Sequence, residues 1–145
     1  MDNSKNLNII AVDAMGGDYG PEVTVPAAVE ATEKKDLAVI LVGEKKLIDR
    51  ELSKFSPLET SLLSVVPAQG VVTENESPAL AYRTKPRASV YVAAGIVKAG
   101  KASGFVSMGS TGASIAASTV LYGTMDGIER GAIGGPVIGY SPRTV

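Results

Sequence analysis

Two glycine-rich segments of the sequence each follow a short apolar run and carry groups able to bind a ligand. The first runs from Asp13 to Pro21 and holds Gly16 and Gly17 between two aspartates, Asp13 and Asp18. Glycine tolerates positive φ angles and the close approach of another group. The spacing is not the G-x-G-x-x-G of a dinucleotide site. The segment predicts a binding loop or a wide turn whose aspartates accept hydrogen bonds from backbone amides.

The second segment contains Gly109, Ser110, Thr111 and Gly112 and leads into an alanine- and serine-rich stretch. A helix that begins here would attract an anion through its free amides and the positive end of its dipole, with hydroxyl groups to assist. The segment lacks the Gly-Lys-Ser/Thr of a nucleotide P-loop, which argues against ATP. The alternative is that its small residues let the helix pack closely on a sheet.

Cations are concentrated in one short run, which contains Arg83, Lys85 and Arg87. A run of this kind is commonly a solvated surface. Near the carboxyl ends of parallel strands it would instead attract phosphate or an acidic partner through charge-assisted hydrogen bonds. Arg130 lies alone in a glycine-rich turn and, taken by itself, indicates only a surface arginine.

Apolar periodicity predicts the elements that must position these segments. Short apolar runs are typical of buried strands, which we expect at 8–12, 38–43, 62–66 and 103–108. The first helix is expected from Thr24 as its N-cap, with Pro26 in its first turn, to about Lys35. Further helices are expected at 44–55, 78–83, 88–99 and 111–122, and a long loop at 68–77. This order predicts a mostly parallel sheet with helices on both faces, which binds its ligands beyond the carboxyl ends of the strands.

The composition excludes much familiar enzyme chemistry. The 145 residues contain no His and no Cys, which excludes a Ser-His-Asp triad, a cysteine nucleophile and a Cys/His zinc site. We expect neither a metal nor a cofactor. The balance of 14 Lys and Arg against 15 Asp and Glu argues against nucleic acid as a partner. No apolar run reaches the ~18 residues of a membrane-spanning helix, and the polar start is unlike a signal peptide. The expected location is therefore the cytoplasm.

Four segments together resemble the bacterial phosphate acyltransferases of phospholipid synthesis, the acyl-acyl-carrier-protein:phosphate acyltransferase family. The resemblance rests on AVDAMGGD at 11–18, RTKPR at 83–87, SMGSTGA at 107–113 and GIER at 127–130. Three positions depart from the family pattern: Tyr19 stands where the family usually has His, Ser110 where it has Asn, and Gly131 where it has Pro. The basic stretch 83–89 is also less dense than in the family and lacks its paired serines.

The resemblance implies transfer of a long-chain acyl group from acyl carrier protein to inorganic phosphate, which gives acyl phosphate. It implies a three-layer α/β/α fold like that of the isocitrate and isopropylmalate dehydrogenases and the phosphotransacetylases. It also implies a homodimer and peripheral association with the membrane through a C-terminal part. Family members continue beyond Val145, so residues 1–145 are expected to be the N-terminal part of a single, truncated acyltransferase domain. The last residues suggest a chain cut just before a further strand.

The site residues that we expect on this basis lie in the two glycine-rich segments and among the cations. For phosphate and substrate binding they are Asp13, Gly16, Gly17, Asp18, Gly109, Ser110, Thr111 and Gly112. The catalytic residues stay open, with Arg83, Lys85 and Arg130 as candidates. A chain without His suits this reaction because phosphate is already nucleophilic near neutral pH and a thiolate is a tolerable leaving group. The protein would then position the reactants and stabilise the oxyanion.

Two alternatives stay open at this point. A short-chain phosphotransacylase of the same fold group would use an acyl-coenzyme A and phosphate. In the other alternative the chain is an inactive fragment that acts only as a folding or dimerisation module, since its sheet would present an exposed edge.

Overall fold

The computed structural model of the chain describes residues 7–55 and 60–134, which contain four strands and five helices. The strands are β1 (Asn8–Asp13), β2 (Leu37–Gly43), β3 (Leu63–Pro67) and β4 (Gly104–Ser107). The helices are α1 (Pro21–Glu33), α2 (Lys45–Leu52), α3 (Pro78–Thr84), α4 (Ser89–Lys98) and α5 (Thr111–Tyr122), with a 3-10 turn, Thr60–Leu62, before β3. The predicted order of strands and helices is confirmed.

The strands form one parallel sheet in the order β3-β2-β1-β4. Parallel neighbours need crossover connections, and helices provide them here. The register places Asp13 of β1 beside Val42 of β2 and Ser107 of β4. The carboxyl ends of β1 and β4 are therefore neighbours, which brings the two glycine-rich segments to the same edge of the sheet. The parallel sheet and the three-layer α/β/α class are confirmed.

Helices cover both faces of this sheet. On one face, α1 and α2 pack through a buried cluster that includes Val25 and Leu41, with Val12 against it. On the other face, α4 packs where Ala11 meets Ala93, and a third cluster joins α3, α4 and α5. Successive strand residues point to opposite faces, which explains why Ala11 and Val12 belong to different clusters. Burial of a side chain such as Leu41 contributes about 1.5–3 kcal/mol to this packing.

The first helix begins earlier than the sequence predicts. It starts at Pro21 with Gly20 as its N-cap, so Thr24 lies inside the helix and Pro26 lies within it rather than in its first turn. The hydroxyl oxygen of Thr24 lies 2.8 Å from the carbonyl oxygen of Ala14 and 3.0 Å from that of Gly20, and its single proton is shared between these two acceptors. The prediction was wrong because Pro21, whose fixed φ suits the first helical position, begins the helix. Thr24 joins α1 to the end of β1 instead.

The other predicted boundaries agree with the structure to within a few residues. The exception is α2, which ends at Leu52 rather than at Phe55. The N–H groups of Lys54 and Phe55 donate to carbonyls three residues earlier instead of four, so the α-helical pattern stops there. The expectation of a cut before a further strand concerns the last residues, up to Val145, which lie outside the described residues. Among the helices in the described part of the chain, none is both long enough and apolar enough to span a membrane.

Candidate functional site

A buried carboxylate ties the two glycine-rich segments together. Asp13, at the end of β1, is only 2% exposed. Its Oδ1 accepts the backbone N–H of Met15 at 3.1 Å, and its Oδ2 accepts the hydroxyl of Ser107 at 2.7 Å. The Ser107 oxygen in turn accepts the backbone N–H of Gly109 at 3.1 Å. This chain of hydrogen bonds fixes the start of one loop against the start of the other.

The backbones of the two loops also touch, at Gly16 and Gly109. A Cβ atom added to Gly16 would lie 2.7 Å from the Gly109 nitrogen and 2.9 Å from Asp13 Oδ2, so only glycine fits there. At Gly17, φ is +84°, a backbone conformation that glycine adopts easily because it has no Cβ atom. Part of the close approach predicted for these glycines is therefore an approach of one loop to the other.

The second loop leads directly into α5, whose first turn is capped by Ser110. The Ser110 Oγ accepts the backbone N–H of Ala113 at 3.3 Å, and the residue is only 6% exposed. The amides at the start of a helix have no partner within the helix, which leaves those of Thr111 and Gly112 facing outward from its end. Gly112 packs closely, since a Cβ there would lie 2.7 Å from the ring of Pro78. The helix dipole adds positive potential at this point.

A cavity of about 230 Å³ lies between the two loops and the segment 71–74. Four of the predicted binding residues line it: Gly17, Asp18, Gly109 and Ser110. The structure brings the other four close by without placing them in its wall. Asp13 and Gly16 form the joint between the loops, while Thr111 and Gly112 form the first turn of α5.

Two neighbouring cavities flank this one. Tyr19 is 71% exposed and lines a cavity of about 270 Å³ together with Gly16 and Gly17. Thr111 lines a cavity of about 420 Å³ on the outer side of α5, and Gly131 forms part of its far wall. The two loops are therefore accessible from more than one side.

Lys85 is held by a carboxylate rather than directed into the cavity. Its Nζ lies 2.7 Å from Glu76 Oε2 and donates to the Val71 carbonyl at 3.2 Å. Glu76 also accepts the N–H and hydroxyl of Thr73, at 3.1 and 3.0 Å. These hydrogen bonds, that of Lys85 first, lower the pKa of Glu76 from 4.5 to about 2. Lys85 thus closes the loop that forms one wall of the cavity.

The other two candidate cations lie at the surface. Arg83 is in the last turn of α3 and Arg130 is in the segment after α5; both are exposed. Within residues 7–55 and 60–134 neither forms a salt bridge, and neither lines the cavity between the loops. Two acidic residues, Asp18 and Glu74, line that cavity instead. No group of three or more His, Cys, Asp or Glu side chains in the same described ranges is arranged to hold a metal.

Two residues of the site are absent from the predicted set. Ser107 lies in the second segment, and a signal for it existed: it ends a predicted strand, as Asp13 does, and strand ends meet at one edge of a parallel sheet. Glu76 gave no such signal. Its contact with Lys85 depends on the path of the loop between them.

Comparison with known proteins identifies the family of the chain. The profile of a family described as "Fatty acid synthesis protein" matches residues 9–138. The chain belongs to this family. The matched range contains both glycine-rich segments and all three candidate cations.

Related sequences are named for one activity. A protein named phosphate acyltransferase from Nitratidesulfovibrio vulgaris (strain DP4) is 43% identical over 128 residues, which are 88% of this chain and 37% of that protein. One of the same name from Syntrophomonas wolfei subsp. wolfei is 48% identical over 122 residues, 83% of this chain and 38% of that protein. A third, from Thermosynechococcus vestitus, is 45% identical over 125 residues, 86% and 36%. The chain thus spans little more than a third of each relative's length, and the predicted resemblance to phosphate acyltransferases is confirmed.

Proposed function

We propose that this chain forms the phosphate-binding part of an enzyme that transfers a fatty acyl group from acyl carrier protein to inorganic phosphate, giving acyl phosphate for phospholipid synthesis. The observation that carries the proposal is the joint between the two glycine-rich loops, because it sets the first turn of α5 beside the cavity at the carboxyl edge of the sheet. Family membership and the name shared by the relatives support the same reaction.

The proposed reaction needs no protein nucleophile. A phosphate oxygen attacks the thioester carbonyl carbon and forms a tetrahedral oxyanion. Collapse of this intermediate breaks the carbon–sulfur bond, and the proton lost by the phosphate ends on the departing thiol. The protein has to hold phosphate against the thioester and stabilise the oxyanion. The outward amides of Thr111 and Gly112 suit an anionic oxygen, since a helix N-terminus presents both N–H groups and positive potential.

The cavity is lined by acidic residues, whereas the candidate cations lie outside it. Asp18 and Glu74 line the cavity, so a phosphate bound beside it, at the first turn of α5, depends on the amides of that turn and on cations brought to it. We propose Arg83, Lys85 and Arg130 as those cations. None of the three lines the cavity, so each side chain would have to turn towards it, and Lys85 would have to leave Glu76. Arg83 and Arg87 are exposed, and in this proposal they also attract the acidic surface of a carrier protein, because complementary charge speeds encounter. The proposal includes a homodimer in the cytoplasm that associates peripherally with the membrane.

A hydroxylamine trapping assay tests the reaction. The 145-residue chain is mixed with an acyl carrier protein thioester and phosphate, and acyl phosphate is trapped as hydroxamate. Hydroxylamine also reacts slowly with the thioester itself, so a mixture without protein gives the background. We expect hydroxamate above this background only when phosphate is present, and no phosphate-dependent product above it would refute the proposal for this chain. Better use of acetyl- or butyryl-coenzyme A than of the carrier-protein thioester would instead identify a short-chain phosphotransacylase.

A matched pair of double variants tests the role of Arg83 and Arg87. Changing Arg83 and Arg87 to glutamine should raise the KM for the carrier-protein thioester and weaken its dependence on salt. Lys98 and Lys101 are two exposed cations before the amino end of β4, away from the two loops. Changing both to glutamine removes the same charge at that distant position. Equal effects of the two double variants would show that only net charge matters.

A second candidate function, a dimerisation module without activity, is favoured by the free side of β4. In the described residues β4 pairs only with β1, and Val106 and Met108 are 47% and 70% exposed. They border an apolar groove of about 500 Å³ that also includes Ile10 and Val12. Exposed strand edges favour pairing with another chain. Sedimentation should then show a dimer that Val106→Asp dissociates, and a monomer at all concentrations would refute this function.

A further inference from the structure

The hydroxyl of Ser107 links a buried carboxylate to the backbone that leads into α5. We propose that Ser107 is a positioning residue, which together with Asp13 holds the Gly109 amide and thereby sets the amides at the start of α5 in the orientation that phosphate requires. The phosphate in this statement rests on the proposed function, whereas the positioning itself does not.

The direction of each hydrogen bond follows from the groups involved. The Gly109 N–H can only donate, so the Ser107 oxygen accepts from it at 3.1 Å. The Ser107 hydroxyl then has its own proton left to donate, and Asp13 Oδ2 accepts it at 2.7 Å. The other oxygen of Asp13 is occupied by the N–H of Met15. Both carboxylate oxygens thus accept a hydrogen bond from the two loops, so Asp13 supports the position of both.

Because the Gly109 N–H donates to the Ser107 oxygen, it is not available to bind an anion. Among the amides of this segment, that of Ala113 is bound to the Ser110 side chain. Those of Thr111 and Gly112 start the helix and have no partner within it. The peptide that Ser107 holds is therefore two residues away from the amides that would bind phosphate.

The joint leaves little room for an alternative arrangement. A Cβ atom at Gly109 would lie 3.2 Å from the Gly16 Cα, and one at Gly16 would lie 2.7 Å from the Gly109 nitrogen. The loops are in van der Waals contact, but contact alone is not directional. The Ser107 hydroxyl supplies the directional bond, since it fixes which way the Gly109 N–H points.

An NMR titration with inorganic phosphate tests the proposal on the 145-residue chain labelled with ¹⁵N. The variants are Ser107→Ala, Ser107→Thr and Ser107→Val. Thr and Val have nearly the same shape and differ in the hydroxyl, so this pair tests the hydroxyl even if Ser107→Ala does not fold. Ser64→Ala is the matched control, because Ser64 lies in β3 at the far edge of the same sheet and is exposed. Two readouts are followed: the phosphate Kd from the Thr111 and Gly112 amides, and hydrogen exchange at Gly109.

The expected results follow from the loss of one bond to a charged group and one to a backbone amide. Ser107→Ala and Ser107→Val should weaken phosphate binding by about ten- to a hundredfold and speed exchange at Gly109 by a similar factor. Ser107→Thr should keep most of the binding and protection, and Ser64→Ala should match the unaltered chain. If Ser107 had a purely structural role, its variants would change global stability, and hydrogen exchange at Gly109 would be as fast in the Thr variant as in the Val variant.

Different failures have different meanings. Unchanged phosphate binding in Ser107→Ala or Ser107→Val, or equal weakening in the Thr and Val variants, would overturn the proposal. If the unaltered chain binds no phosphate, the phosphate part of the proposed function is overturned instead. Gly109 exchange then decides the positioning proposal: acceleration in the Val variant with protection in the Thr variant supports it, and equal rates in the two overturn it.

Discussion

Replacing Gly16 with alanine introduces a methyl group into the contact between the two glycine-rich loops. The added Cβ would lie 2.7 Å from the Gly109 nitrogen, 2.9 Å from Asp13 Oδ2 and 3.1 Å from Ser107 Oγ. The first of these atoms belongs to the backbone and the other two are held by a hydrogen bond to each other, so none can move away at little cost. Because φ at Gly16 is not positive, the expected effect is steric rather than conformational.

The magnitude follows from two opposing contributions. Overpacking of this kind costs about 1–3 kcal/mol, whereas any change from glycine to alanine gains about 0.4–1 kcal/mol by restricting the unfolded chain. We therefore expect Gly16→Ala to lower the free energy of unfolding by about 1–2 kcal/mol. Gly95→Ala is the matched control, because Gly95 lies inside α4 and a Cβ there meets nothing within 4 Å. This variant should raise the free energy of unfolding by about 0.5–1 kcal/mol.

Urea unfolding followed by far-ultraviolet circular dichroism measures both variants. The free energies of unfolding should differ by about 2 kcal/mol between Gly16→Ala and Gly95→Ala, with unchanged dependence on urea concentration. In addition, Gly16→Ala should speed hydrogen exchange at the Gly109 amide, since the methyl group pushes directly on that nitrogen. Equal stabilities for the two variants would refute the close contact between the loops and, with it, the joint on which the site depends.

Two further changes test contacts away from this joint. Glu76→Gln removes the carboxylate that holds Lys85; because the pKa of Glu76 is lowered from 4.5 to about 2, its contribution is complete above pH 4.5 and is lost as the pH falls towards 2. Below pH 4.5 the free energy of unfolding of the unaltered chain should therefore decline more steeply with falling pH than that of the variant. Urea unfolding measured at several pH values checks this, and a constant difference between the two free energies from pH 7 to pH 3 would contradict it. Thr24→Val keeps the shape of the side chain but removes the hydroxyl that donates to the Ala14 carbonyl at 2.8 Å, and should lower the free energy of unfolding by about 1–2 kcal/mol. A thermal melt no lower than that of the unaltered chain would show that this hydrogen bond does not stabilise the end of β1.

Local patterns of the sequence were enough to predict the sheet and the two loops. Apolar runs marked the strands, and glycines after β1 and β4 marked the turns, because both signals lie within a few adjacent residues. The start of α1 was misplaced for the same reason: Thr24 has the side chain of an N-cap, but its hydroxyl is used by the carbonyl of Ala14, ten residues earlier. Local preference was overridden there by a tertiary contact.

The remaining features of the site depend on long-range register. Ser107 meets Asp13 only because β4 pairs with β1 rather than with β3, and no local pattern specifies this choice. The ion pair between Glu76 and Lys85 likewise depends on the path of the chain between these two residues. The two loops could therefore be predicted individually, whereas the bonds that join them and the burial of Asp13 could not.

The hydrogen bond between Asp13 and Ser107 closes a loop of chain 94 residues long. A polypeptide that emerges from the ribosome N-terminus first can assemble β1, β2 and β3 while β4 does not yet exist, so one edge of β1 waits unpaired. Such an edge invites pairing with other chains while it is exposed. Arrival of β4 both closes the edge and completes the joint between the loops. The joint between the loops therefore forms only after β4 has been made, and a chain that stalls before residue 107 has β1, β2 and β3 but lacks this joint.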